Sequence, residues 1–155
     1  MGVYHSALQV GKYEFAYGGN AAVADSGIYI NAPRRNSSFI FKCSIPVCYE
    51  PDVGERVAPP VCELTKFEIF TVLIPRMGQR YRADQYDILT KNCNHFTDDL
   101  LKTLTAGRFS MPSWINRLAN IGSIFHCVVP RRYLNRQPVE GSEQADESDV
   151  ISNAN

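Results

Sequence analysis

The sequence contains no apolar run approaching the ~20 residues that a helix needs to cross a bilayer. Its start, "MGVYHSALQV", has neither the basic opening nor the unbroken apolar stretch of a secretory signal. Gly2 and Ser6 fit an N-myristoylation pattern, but Val3–Val10 reads as a strand, whereas a modified glycine needs a free arm. A short-spaced cysteine pair repeated in a second pair is also missing. Cys43, Cys48, Cys62, Cys93 and Cys127 are odd in number and come without a secretory signal, which points to free thiols in a reducing compartment. There is no internal repeat. Formal net charge is zero, from 16 basic and 16 acidic residues. Five of the acids, Glu140, Glu143, Asp146, Glu147 and Asp149, lie after Arg136, where no basic residue occurs. The mild basic excess left in residues 1–136 is scattered, and gives no nucleic-acid footprint. Residues 137–155 are too polar to offset their ordering entropy and read as a disordered acidic tail.

What remains is one domain's worth of chain, with an ordinary apolar fraction and enough length to bury a core. "VYHSALQV" alternates as a strand does, and Gly11-Lys12 suits a hairpin turn into "YEFAY". "SGIYINAP" and "SSFIFKCSI" read as further strands, rich in β-branched and aromatic residues. Residues 46–60, with several prolines, read as a loop. "VCELTKFEIFTVLIPRM" has helical spacing and is expected to end near Pro75. From Asn92 onward, Cys93, Phe96, Leu100 and Leu104 fall on one helical face, with Gly107 as the stop. "SMPSWINRLANIG" suggests another helix, begun at Pro112 and ended at Gly122. Strands followed by helices predict an α+β fold.

"KNCNHFTDDL", at residues 91–100, carries the chemistry. Asn92 is a good N-cap, because its side chain can accept from an unpaired amide of the first turn. Cys93 then sits at the positive end of the helix, which favours thiolate over thiol and lowers a cysteine pKa from about 8.5. Amides of the same turn can hold an oxyanion. A thiolate nucleophile needs a base. His95 is two residues away and points off the wrong side of the helix. His5 and His126 remain, His126 among apolar neighbours that suit a core or boundary residue. The competing readings of Cys93 are a packed thiol and a zinc ligand. Asn92 and Asn94 make the setting polar, against packing. Cys93 with His95, or Cys43, Cys48 and Cys62, lack the repeated short spacing of a zinc site, so no metal and no cofactor is expected. The other cysteines read as small core or boundary residues. Trp114 reads as a core anchor, with a rim position beside the cleft as the alternative.

In order along the chain, "YHSALQV", "YEFAYGG", "SGIYINAPR", "YDILTKNCNHFTDDLL" and "MPSWINRLANIGS" resemble the PPPDE family of permuted papain-fold thiol peptidases, the deSUMOylating isopeptidases. The "PxWINRLA" segment looks most like the branch with deubiquitinating members. The resemblance covers about residues 2–134 and implies a Cys–His dyad, Cys93 in "NCNHF" and His5 in "YHS". Histidine before cysteine reverses papain's order, as a circular permutation would. Two departures stand out. Family members carry a strand before "YHS", which would leave an edge open beside His5 here, and "CYEPDVGERVAPP" is longer and richer in proline than expected.

The resemblance implies a cysteine isopeptidase acting on SUMO or ubiquitin conjugates, with residues 1–136 as the peptidase domain and 137–155 as the tail. His5 takes the Cys93 proton or holds a thiolate–imidazolium pair, and Asn92 is a candidate oxyanion or orienting group. An acyl-protein thioesterase with the same dyad is the second hypothesis. A catalytically impaired module that binds ubiquitin-like proteins is the third. Cytoplasm is the expected compartment, with the nucleus as a second.

Overall fold

A computed structural model describes residues 4–22, 24–47 and 61–115. Three strands form an antiparallel sheet in chain order: β1 (Leu8–Val10), β2 (Tyr13–Tyr17) and β3 (Ile28–Asn31). Gly11 turns β1 into β2 with φ at +58°, a backbone region that glycine enters without a Cβ clash. The register pairs Leu8 with Phe15 and Phe15 with Ile30.

The helical layer begins at Thr65. Its side chain accepts from the Glu68 amide, and Glu68 reaches back to the Thr65 amide, forming a capping box. The rod then runs through α1 (Lys66–Glu68), a π-helical segment (Ile69–Leu73) and α2 (Ile74–Arg80). It does not end at Pro75. Pro75 occupies the first turn of α2, and the Ile74 amide reaches back five residues to the Ile69 carbonyl. The wider π turn admits a residue that has no N–H to donate. A 3-10 turn (Ala83–Gln85) leads to α3 (Cys93–Leu104). Phe96, Leu100 and Leu104 of α3 cluster with Phe15 and Tyr17 of β2, with Ile69, Leu73 and Met77 of the rod, and with Tyr81 just after it. The face expected from "CNHFTDDLLKTL" is thus the buried one, and strands followed by helices make the domain α+β. After α3 the Gly107 amide donates to the Lys102 carbonyl at 2.7 Å, and Ala106 and Gly107 both take positive φ. This is a Schellman-type stop.

Two expected strands differ. Of the expected strand's described residues, only Leu8–Val10 join the ladder; Tyr4–Ala7 run outside it. "SSFIFKCSI" forms no ladder at all, and Ile40 is 98 % exposed. Strand propensity expresses packing on a pleated surface, and no strand among the described residues pairs with this segment. Side chains hold it instead: Arg34 donates to Ser44 and lies over the Phe41 ring, and Lys42 donates to the Tyr4 hydroxyl. Cys43, expected at the core or its boundary, is therefore exposed. Trp114 is 40 % exposed, its ring edge-on to Tyr4 at 5.6 Å, and so lies outside the core. Cys48, Cys127, His126, most of the 46–60 loop, the helix expected beyond Ile115 and the acidic tail lie outside the described residues. Among the described residues no helix is long and apolar enough to cross a membrane.

Candidate active site

The N-terminus of α3 is built by its own sequence. Asn92 Oδ1 accepts from the Asn94 and His95 amides at 2.9 and 3.1 Å. His95 Nδ1 in turn accepts from the Asn92 amide at 3.2 Å. The histidine thus fills the return position of a capping box, which gives "NCNH" a structural reason for its last residue. Asn92 Nδ2 donates to the Ile88 carbonyl, tying the cap to the preceding turn.

The N-terminal segment crosses this helix end. Asn94 Nδ2 donates to the Tyr4 carbonyl at 3.1 Å, and Thr97 Oγ1 donates to the Ser6 carbonyl at 3.2 Å. Both neighbours of His5 are therefore fastened to the first two turns of α3. The imidazole itself lies flat against Phe39, with centroids 4.1 Å apart and planes 2° from parallel. Its Nε2 is 3.1 Å from the Tyr29 hydroxyl, which also receives a longer bond from Asn36 Nδ2. The Cys93 sulfur has other neighbours: the Tyr86 hydroxyl at 3.9 Å, Asn94 Oδ1 at 3.9 Å and the Ser6 amide. The structure thus draws His5 and Cys93 to one helix end while their hydrogen-bond contacts go to different tyrosines.

Protonation departs from the sequence expectation. Cys93 is only 4 % exposed, and burial pushes its thiol up. The Ser6 amide, the Tyr86 hydroxyl and the Asn94 and Cys93 amides pull it down by less. Desolvation outweighs the helix end because a thiolate here would lose most of its water. The same cause lowers His5 from 6.5 to about 4. At neutral pH the resting pair is a thiol and a neutral imidazole. Tyr29 and Tyr86 are both raised, chiefly by burial and next by the negative charge that Cys93 would carry, so both remain phenols.

Neither tyrosine stood out in the sequence. Tyr29 lies inside the strand "IYIN", where alternation puts it on the same face as Asn31, and Tyr86 precedes the helix in "QYDIL". The available signal was a polar-tipped aromatic in each of two segments quoted for the family resemblance. Close backbone approach admits Tyr86: a Cβ on Gly19 would stand 2.6 Å from the Tyr86 Cβ. Among the described residues no group of three metal-ligating side chains occurs.

Comparison with known proteins places the chain in a family. The PPPDE peptidase domain matches residues 1–133. A DeSI-like protein of Arabidopsis thaliana is 30 % identical over 130 residues, covering 84 % of this chain and 51 % of that protein. A desumoylating isopeptidase 1 homolog of Caenorhabditis elegans is 32 % identical over 174 residues, covering 100 % and 47 %. The DeSI-like protein sdu1 of Schizosaccharomyces pombe is 29 % identical over 153 residues, covering 98 % and 68 %. The chain thus spans about half the length of the first two relatives. With a domain match over most of its length, the chain belongs to the PPPDE peptidase-domain family.

Proposed function

We propose that the protein is a cysteine isopeptidase that removes SUMO from lysine side chains, on a circularly permuted papain-like fold in which Cys93 is the nucleophile and His5 the base. The observation that carries the reading is the fastening of Tyr4 and Ser6, on either side of His5, to the helix end that bears Cys93. Family membership and the names of the relatives support the chemistry and the SUMO preference over ubiquitin.

The reaction starts from neutral partners. His5 accepts the thiol proton as the sulfur attacks the carbonyl joining the modifier's last glycine to a lysine amine. The S–C bond forms, the carbonyl π pair moves to oxygen, and collapse breaks the C–N bond as His5 protonates the departing amine. Water then hydrolyses the thioester. His5 can act as a base only with one nitrogen unprotonated. With Nε2–H donating to Tyr29, the Nδ1 lone pair is left for the thiol. Tyr29 is thus a positioning residue, and Asn92 orients the helix end through its cap. Residues 1–136 form the catalytic domain and 137–155 an acidic tail, in the cytoplasm or nucleus.

A second reading, an impaired module that binds ubiquitin-like proteins, draws on the burial of Cys93 and its raised thiol. SUMO and ubiquitin bearing a C-terminal propargylamide separate the two, with the adduct located by mass spectrometry. The isopeptidase reading expects SUMO on Cys93. Preferential ubiquitin labelling would overturn the substrate, and binding without any adduct would favour the module.

A further inference from the structure

An acyl transfer at Cys93 needs donors for the oxyanion as well as a base. Two amides of the first turn, Asn94 and His95, already donate to Asn92 Oδ1. Among the described residues, the donors facing the sulfur include the Ser6 and Cys93 amides, the Asn94 amide already shared with the cap, and the Tyr86 side chain. Its hydroxyl stands 3.9 Å from Sγ, too long for a strong bond to sulfur itself. In a tetrahedral adduct the oxygen projects beyond the sulfur by one bonded carbon. A donor at this range can then come within the ~2.7–3.1 Å that an oxyanion requires. The ring is fixed for this purpose: it packs 5.2 Å from Tyr17 and against the bare Gly19 backbone.

We infer that Tyr86 is a further catalytic residue, whose hydroxyl donates to the oxyanion formed when Cys93 attacks an acyl carbon. The inference rests on Cys93 being the nucleophile, not on the identity of the modifier. Burial keeps Tyr86 a phenol, so the donor is present across the neutral range. The balance is simple: the phenol proton is shared with the oxyanion and returns to the phenol oxygen on collapse, with no net transfer.

Two small reagents separate this role from an effect on the thiol. p-Nitrophenyl acetate acylates a thiol through an oxyanion, whereas iodoacetamide displaces iodide at a saturated carbon and forms none. Rates are read at the Cys93 peptide by mass spectrometry, because the chain carries four other cysteines, Cys43, Cys48, Cys62 and Cys127. Tyr86→Phe, which keeps the ring and its packing, should slow both reagents by the loss of a donor to the thiolate, and should slow acetylation of Cys93 by about 10²-fold more than carbamidomethylation. Replacing Tyr86 with 3-fluorotyrosine, which retains the donor, should keep acetylation near the wild-type rate. Equal slowing of both reagents, unchanged acetylation in Tyr86→Phe, or loss of acetylation with 3-fluorotyrosine would each overturn the inference. A wild-type Cys93 that takes no acetyl group would overturn both this role and the dyad. If SUMO conjugates fail as substrates while the acetylation contrast holds, only the proposed substrate falls.

Discussion

The two sides of the candidate site are built differently. Cys93 starts a 12-residue helix whose cap is made by residues one or two positions away. His5 lies on an extended stretch outside the sheet, fastened by Asn94 and Thr97, about 90 positions along the chain, and covered by Phe39 from an otherwise exposed segment. Local hydrogen bonds make the cysteine side rigid. The histidine side depends on contacts that close long loops, and such contacts are lost first when the fold loosens. The nucleophile's position is therefore robust to distant change, while the base's position and protonation are adjustable.

The largest effects should come from breaking both sides. Cys93→Ala and His5→Ala are each expected to abolish SUMO cleavage, with the double variant no worse than either, because the pair acts as a unit. His95→Ala should keep substantial activity, since its Nδ1 closes the helix cap by accepting from the Asn92 amide. Steady-state turnover of a SUMO–lysine isopeptide decides this; a dead His95→Ala beside a live His5→Ala would reverse the assignment.

The buried imidazole has a pH signature of its own. With His5 at about 4 in the folded state and 6.5 unfolded, protons bind the unfolded chain preferentially between these values. The stability it supports is complete above 6.5 and falls by about 3 kcal/mol as pH drops through 4. Urea midpoints across that window should fall less steeply for His5→Ala than for wild type. Equal slopes would mean that His5 titrates normally. On the same basis, the acid limb of kcat/KM should lie near pH 4 and not near 6.5.

On the cysteine side, Asn92→Ala removes the acceptor of two amides and is expected to lower stability by about 1 kcal/mol, with the Ile88 carbonyl losing its donor as well. Thermal unfolding measures this. An unchanged midpoint would mean that the box contributes nothing to holding α3.

The smallest change in stability should follow Phe39→Ala, because that ring is already partly in water. Its effect should appear instead at His5: opening the cover returns water to the imidazole, and its pKa moves up toward 6.5. Histidine NMR titration would show the shift. A pKa that stays near 4 would assign the desolvation to Tyr29 and the α3 end.

The cysteine side was legible because helical order is local. Asn92 as cap and the buried stripe of Phe96, Leu100 and Leu104 follow from 3.6 residues per turn and the preferences of helix ends. "SSFIFKCSI" was misread for the opposite reason: propensity describes a residue's fit to a sheet, and only the fold says whether a partner strand is there. Pro75 misled because a π segment can absorb a missing donor, which no spacing rule anticipates.

The amino-acid order by itself determined the strand–helix succession, the hairpin at Gly11, the capped helix and the cysteine that begins it, since each depends on neighbours within a few positions. The tertiary structure alone decided which groups touch that cysteine, and in which protonation state they wait. Tyr86 and Ser6 at the sulfur, and Tyr29 and Phe39 at the imidazole, come together only through packing. The upward shift of the thiol and the downward shift of the histidine follow from desolvation, which is a property of the enclosed volume and not of any stretch of sequence.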